Sequence, residues 1–177
     1  GLSVIKKSNK TLGFIKRNFN KCNRDIKLKC YLTLVRPVLE YASSVWDPST
    51  KENIDKLEQI QKRAARFITG EYSKLTRITP LVKSLNLETL EDRRTKSKVV
   101  IIHKAINSNL EIQHKDNLIQ PSDRHKDKNT FLIPYARTNT YKFSFFPSGI
   151  RAWNGLPEES RKTNTLSTFK SLIKMQD

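Results

Sequence analysis

The sequence has few acidic residues. Its 177 residues hold 17 Asp and Glu against 34 Lys and Arg, which gives a formal net charge of +17. Cysteine and glycine are also scarce, with two and five residues, so a disulfide-stapled scaffold and a fibrous or low-complexity protein are excluded. No run of 18 apolar residues occurs, which argues against a membrane-spanning helix. So large an excess of positive charge predicts an anionic partner, and nucleic acid is the favoured one.

Residue patterns typical of catalytic sites are missing from the sequence as well. The sequence contains no Asp-Asp pair, and Glu91 and Asp92 are neighbours on a predicted helix, where their side chains point about 100° apart. Cys22 and Cys30 have no histidine nearby, so the spacing of a zinc site is not met. Neither a Gly-rich phosphate loop nor a nucleophile elbow is present. We therefore expect no catalytic site, metal, cofactor or small-molecule substrate for this chain.

The positive charge is concentrated at the start of the chain, where residues 1–36 hold ten basic side chains and one acidic one. Periodicity predicts an amphipathic helix over residues 5–20 with one apolar face. The nearly opposite face carries a row of cations, namely Lys6, Lys10, Arg17 and Lys21. Gly13 falls within this row, although glycine weakens a helix. Either a phosphate strand or a neighbouring helix approaches its backbone closely, and helix packing is the more usual reason.

Further cations extend this candidate interface. Lys7, Lys16 and Arg24 lie near the basic row, and three more basic residues cluster near the end of a later helix, where they either contact phosphate or complement the helix dipole. The alternative for all of these residues is a solvated helix face. The candidate nucleic-acid-binding residues are Lys6, Lys7, Lys10, Lys16, Arg17, Lys21, Arg24, Lys62, Arg63 and Arg66.

The remaining pattern predicts a mainly α protein. Residues 24–35 are apolar on two sides, which predicts a buried helix that Pro37 breaks or kinks before an apolar stretch resumes from Val38 to Trp46. A capping box at Ser49–Glu52 predicts a helix that ends at Thr69 before Gly70. Two more helices are predicted, one starting at Thr79-Pro80 and one over residues 88–107. We expect a helical bundle over 1–107, a linker over 108–130 and a small C-terminal piece over 131–177.

The C-terminal piece is rich in aromatic residues. Tyr141, Phe143 and Phe145 alternate with Lys142 and Ser144, which predicts a strand and hence a small α+β fold. Apolar residues with helical spacing between Leu166 and Ile173 predict a last helix. The aromatic residues either stack on unpaired RNA, through Tyr141, Phe143 or Trp153, or form a small hydrophobic core. The second alternative is favoured.

Several blocks of the sequence resemble one family. Val35-Arg36-Pro37-Val38-Leu39-Glu40-Tyr41-Ala42-Ser43-Ser44-Val45-Trp46-Asp47-Pro48 is similar to the segment that follows the polymerase core in reverse transcriptases of jockey-like non-LTR retrotransposons. Other blocks agree with this resemblance, and they lie at 10–19, 54–67, 90–94, 137–147 and 153–157. Together the blocks extend the resemblance over nearly the whole chain, from about residue 5 to residue 173.

The resemblance implies the thumb and C-terminal extension of an RNA-directed DNA polymerase. The Mg²⁺-binding palm with its paired aspartates would precede Gly1, and the endonuclease further upstream, so we expect this chain to be inactive by itself and incomplete at its N-terminus. The implied fold is a thumb-like helical bundle over 1–107. The implied partners are RNA, DNA or an RNA–DNA hybrid and the palm domain of the parent polymerase, with no membrane. The implied localisation is nucleus and cytoplasm.

Two alternatives remain open for the function. The chain is either a stand-alone RNA- or DNA-binding module derived from such an element, or a non-functional remnant of it. Both alternatives predict that the coding sequence upstream of Gly1 lacks an intact palm, whereas the thumb interpretation predicts that it encodes one. A role at a membrane surface is weaker, because the apolar helix faces are expected to be used in a bundle.

Overall fold

A computed structural model shows a mainly helical protein. It describes the residues in the ranges 2–40, 50–73, 75–107, 119–122 and 129–174. The expected mainly α fold class is confirmed. Among the described residues, no helix combines the length and the apolar character needed to cross a membrane.

The chain divides into two compact units, Gly1–Arg93 and Arg94–Asp177. The division falls within a helix, earlier than the expected boundary at residue 108. Much of the expected linker lies outside the described residues. Of its described parts, Ile119, Ser122 and Thr130 are buried, whereas Gln120 and Pro121 are exposed.

The first unit is a bundle of helices of very different lengths. Its helical segments are α1 (Leu2–Asn18), α2 (Arg24–Cys30), a π-helical turn (Tyr31–Val35), α3 (Arg36–Glu40), α4 (Lys51–Thr69), α5 (Ile78–Ser84) and the start of α6 (Leu90–Asn107). α1 packs against the π-helical turn, α3 and α4, while α4 also packs against α2 and α5. The core between them is apolar, and its fully buried side chains include Ile15, Val35, Leu57 and Ile60.

Pro37 lies inside a helical stretch and does not end it. The π-helical turn immediately precedes the proline, and there the backbone N–H of Arg36 donates to the carbonyl of Tyr31. Proline lacks an N–H, and its ring crowds the carbonyl four residues earlier, so a wider turn gives the ring room. Of the two predicted effects of Pro37, a break is therefore wrong, because α3 continues to Glu40, whereas the proline is accommodated by the π-helical turn before it. The stretch predicted from Val38 to Trp46 lies mostly outside the described residues.

The predicted burial of residues 24–35 holds for one side only. Tyr31 and Val35 are buried, whereas the side chains of Ile26 and Leu34 are exposed. The Tyr31 hydroxyl donates to Oε1 of Gln61 on α4 at 2.8 Å, and the Gln61 amide donates to the carbonyl of Glu88 at 2.8 Å. This buried relay ties the π-helical turn, α4 and the segment before α6 together. Burial raises the pKa of Tyr31, so its hydroxyl stays a donor.

α4 matches its prediction at the C-terminal end. Gly70 follows Thr69 in the left-handed conformation with φ of 74°, a backbone conformation that glycine adopts without strain. At the other end Thr50 occupies the N-cap position, without a side-chain hydrogen bond. Ser49 of the predicted capping box lies outside the described residues. Glu52 instead pairs with Lys56 at 2.6 Å, one turn further along α4.

α6 receives its N-terminal cap from another helix. The Glu58 carboxylate on α4 accepts hydrogen bonds from the backbone N–H groups of Leu90 and Glu91 at 2.6 and 3.2 Å. Thr89 Oγ1 accepts a further bond from the N–H of Asp92. A carboxylate at a helix N-terminus satisfies free N–H groups and opposes the positive end of the helix dipole. This contact fixes the start of α6 against α4.

The second unit has its own apolar core. Besides the rest of α6 it contains α7 (Asn139–Lys142), α8 (Phe145–Asn154), α9 (Glu158–Arg161) and α10 (Leu166–Lys174). Trp153 is fully buried, with its ring centroid 5.6 Å from that of Phe169 and 6.3 Å from that of Phe131. Its indole N–H donates to the carbonyl of Asn129 at 2.8 Å. The predicted last helix from Leu166 to Ile173 is confirmed by α10.

The predicted strand over residues 141–145 is wrong. Tyr141 belongs to α7 and Phe145 opens α8, with Ser144 as the N-cap residue between them. Thr138 Oγ1 accepts a hydrogen bond from the N–H of Tyr141, which caps α7. Cap residues and Pro147 near the start of α8 therefore outweigh a short alternation of aromatic residues. Within the described residues, β structure is limited to a single antiparallel bridge between Pro121 and Phe131.

Candidate nucleic-acid interface

The outward face of α1 carries a row of positive charge without an acidic residue. Leu12 and Ile15 point into the core of the first unit, and Lys6, Lys10 and Arg17 are exposed on the other side of the helix. α1 contains five Lys and Arg residues and no acidic residue. The predicted opposition of an apolar and a cationic face is thus present in the structure.

These cations lack acidic partners in the part of the chain that the structure describes. The ion pairs of the first unit lie outside α1: Glu40 pairs with Arg93 and Arg36, Glu88 with Arg93, and Glu52 with Lys56. None of the ion pairs found among the described residues involves a side chain of α1. The charge of α1 is therefore left for solvent or for an anionic ligand.

Lys7 borders a depression at the start of α1. A shallow, open depression of about 520 Å³ is lined by Ser3, Lys6, Lys7 and Lys10. Three ammonium groups around one depression offer donors to phosphate oxygens without any base-specific geometry. Lys7 thus joins the row formed by Lys6 and Lys10.

Lys16 faces a cation on α4. Burial, and after it the charge of Arg63, lower the pKa of the Lys16 ammonium below its ordinary value. The Arg63 guanidinium also donates to Oδ1 of Asn9 on α1 at 3.3 Å. Two cations held near each other by packing disfavour one another, and an anion bound between them would relieve that repulsion. Lys16 and Arg63 therefore extend the interface from α1 onto α4.

The guanidinium groups of two predicted binding residues are held by backbone carbonyls of the protein. The Arg24 guanidinium donates to the backbone carbonyl of Ser84 at 2.7 Å and to its hydroxyl at 3.1 Å, which joins α2 to the end of α5. The Arg66 guanidinium donates to three backbone carbonyls in the segment after α4, with Ser73 the shortest at 3.0 Å. Both guanidinium groups hold the fold together, so we leave them out of the interface.

The last two predicted residues lie at the margins of this surface. Lys21 follows the end of α1 at Asn18, in the turn before α2, so it does not continue the helical row. Lys62 is exposed on α4 next to Arg63. Neither has an ion-pair partner among the described residues. The contiguous interface therefore consists of Lys6, Lys7, Lys10, Lys16, Arg17 and Arg63.

Sequence reasoning missed one residue of this surface. Phe14 lies on α1 four residues after Lys10 and three before Arg17, which places it among the cations, and its side chain is 49% exposed. An exposed ring beside phosphate-binding groups is suited to contact with a sugar or a base. Its helical phase, on the same side as the basic row, was the signal that could have revealed it.

Gly13 is not explained by helix packing. A Cβ placed on Gly13 would meet only Nη1 of Arg17, at an ordinary contact distance of 3.5 Å. Within the described ranges no neighbouring helix approaches its backbone, and close approach of a phosphate strand stays a prediction.

Gly13→Ala separates stability from binding. We expect the substitution to stabilise the first unit by about 1 kcal/mol, since alanine is the better helix former and its methyl group meets no obstacle. If a phosphate strand approaches the bare backbone, affinity for an RNA–DNA hybrid falls roughly threefold, the order of one weak Cα–H contact. Urea unfolding and fluorescence anisotropy measure the two effects. Thr11→Ala on the same helix is the control, and unchanged binding by Gly13→Ala would exclude a role for Gly13 in the interface.

The described residues hold no cluster of three or more His, Cys, Asp or Glu side chains that would suit a metal ion. The cysteines Cys22 and Cys30 are free thiols. The outward face of α1 offers cationic side chains and the exposed ring of Phe14.

Comparison with known proteins finds no protein-family model, no curated protein and no solved structure that matches this chain.

Proposed function

We propose that this chain is the thumb and C-terminal part of a retrotransposon RNA-directed DNA polymerase and grips the template–primer through the basic face of α1. Two observations support the proposal. The sequence blocks resemble the corresponding region of jockey-like non-LTR elements. The first unit is a helical bundle with a cationic outer face, as a thumb requires.

The observation that carries the proposal is the acid-free row of Lys6, Lys10 and Arg17. Their side chains are exposed and make no ion pair in the described part of the chain. Side chains of this type bind phosphates regardless of sequence, which suits an enzyme that must move along any template. An RNA–DNA hybrid is close to A-form, so the protein would recognise backbone shape and not base edges.

The chemistry of DNA synthesis is assigned to another part of the polymerase. The paired aspartates and Mg²⁺ would lie in the palm domain of the same polymerase, which precedes this chain, and the chain itself would carry no cofactor. The palm and the nucleic acid are then its partners, and the nucleus and cytoplasm its locations. The role of the chain is to hold the duplex in register beside that palm.

A salt titration tests the proposal. We expect the purified chain to bind a labelled RNA–DNA hybrid tightly at low salt, and log K to fall steeply and linearly with log salt. Between 50 and 200 mM salt, six phosphate contacts correspond to a loss of about 10³-fold in affinity. Fluorescence anisotropy with two hybrids of unrelated sequence measures this, and both should give the same slope.

Two results would contradict the thumb proposal. A folded chain that ignores the hybrid favours the non-functional remnant. Binding that depends on sequence, or that favours duplex DNA over the hybrid, favours a stand-alone module, because a thumb must accept any template in hybrid form.

A further inference from the structure

The second unit leaves several aromatic side chains outside its core. Tyr135 is 86% exposed, Tyr141 40% and Phe143 38%. All three lie in the segment from Tyr135 to Phe143, which runs through an extended stretch into α7. Leu132 and Ile133, just before this segment, are also exposed.

The core of the second unit is complete without these rings. Trp153, Phe131 and Phe169 fill its centre and are buried. A stacking role for Trp153 is thus excluded, and the small-core interpretation accounts for only part of the aromatic residues. Three exposed rings within nine residues of a folded unit indicate an interaction surface.

Charge identifies the occupant of this surface. Residues 131–157 contain Arg137, Lys142 and Arg151 and no acidic residue. The Lys142 ammonium lies over the neighbouring Phe143 ring, 5.7 Å from its centroid. Rings interleaved with cations complement a ligand that carries both planar faces and negative charge. An unpaired nucleic-acid strand has both, whereas a duplex hides its base faces within the stack.

We propose that Tyr135, Tyr141 and Phe143, together with Arg137 and Lys142, bind single-stranded nucleic acid by stacking on its bases. This inference rests on the proposed function in one respect: both assign a nucleic acid as the ligand. The proposed function places a duplex on α1 of the first unit, whereas this inference places a single strand on residues of the second unit. In a polymerase such a surface would hold template that has not yet been copied.

The test compares three labelled probes on the full chain by anisotropy. They are an oligouridine of about 16 nucleotides, an abasic strand of the same length and charge, and an RNA–DNA hybrid. We expect the oligouridine to bind more tightly than the abasic strand. The triple variant Tyr135→Ala/Tyr141→Ala/Phe143→Ala should lose that preference, with oligouridine affinity falling about tenfold or more. Its affinity for the hybrid should stay within about twofold.

Matched variants isolate the rings. Tyr72→Ala removes an exposed tyrosine of the first unit and should change nothing. Tyr135→Phe/Tyr141→Phe keeps the rings and should keep the preference for bases. Tyr135→Ala alone alters the most exposed of the three side chains, so it tests the surface even where the triple variant unfolds.

The results separate this inference from the thumb proposal. Equal binding of oligouridine and abasic strand, or unchanged oligouridine binding by the alanine variants, overturns the stacking surface. The alanine variants could instead keep oligouridine binding and lose self-association or binding to anionic vesicles. Either result also overturns the stacking surface, and it assigns the exposed rings to a second copy of the chain or to a membrane. A chain that prefers oligouridine to the abasic strand but ignores the hybrid supports this surface and contradicts the grip by α1.

Discussion

Reversal of three charges on α1 is expected to remove most of the affinity for an RNA–DNA hybrid. In Lys6→Glu/Lys10→Glu/Arg17→Glu, three exposed cations without acidic partners among the described residues become three carboxylates facing the same ligand. At low salt the affinity should fall by about a hundredfold or more, because phosphate contacts are lost and repulsion replaces them. The slope of log K against log salt should become shallower by about three, one unit for each lost contact.

The control for this variant has the same net charge. Lys83→Glu/Lys170→Glu/Lys174→Glu reverses three exposed cations, one on α5 and two on α10, and leaves every residue of α1 unchanged. We expect it to keep the steep salt dependence and to lose affinity by less than about tenfold, through the long-range field alone. If both variants lose the same affinity, net charge and not the face of α1 accounts for binding.

The basic face was predictable because a single long helix creates it. In α1 the 3.6-residue period alone decides which side chains share a face, and the buried positions Leu12 and Ile15 confirm the phase. α4 was predictable for the same reason, and Gly70 marks its end because only glycine adopts the left-handed conformation at little cost.

The roles of Arg24 and Arg66 could not be read from the sequence. Each guanidinium is held by backbone carbonyls, of Ser84 in one case and of Ser73 and its neighbours in the other. Carbonyl positions depend on how loops and helix ends fold, and a side-chain pattern does not contain that information. Every Lys and Arg therefore looks alike in sequence, whether it crosslinks the fold or faces solvent.

The error at residues 141–145 has a physical cause as well. An alternation of three aromatic residues is too short to separate a strand from two helix ends. In the structure the exposed rings Tyr141 and Phe143 lie at the end of α7, where its cap Thr138 places them. The alternation therefore has no single meaning here, because Tyr141 and Phe143 are exposed whereas Phe145 packs against the core of the second unit.

Trp153→Ala is expected to destabilise the second unit severely while leaving the first unit folded. Trp153 is fully buried against Phe131 and Phe169, and its indole N–H bonds the carbonyl of Asn129. Truncation leaves a cavity and costs about 3–5 kcal/mol, comparable with the whole stability of a unit of this size. Urea unfolding followed by circular dichroism should show an early transition, and limited proteolysis should cut first between residues 94 and 177.

Trp153→Phe is the matched control, because it keeps a ring in the core and loses only the indole hydrogen bond and part of the side-chain volume, which costs about 1–2 kcal/mol.

The contrast between the two variants has a functional consequence. Trp153 belongs to the core of the second unit and α1 to that of the first. Trp153→Ala should therefore abolish the preference for oligouridine over the abasic strand and retain hybrid binding with its steep salt dependence. Loss of hybrid binding in Trp153→Ala would instead show that the duplex grip requires the second unit, and α1 alone would no longer explain it.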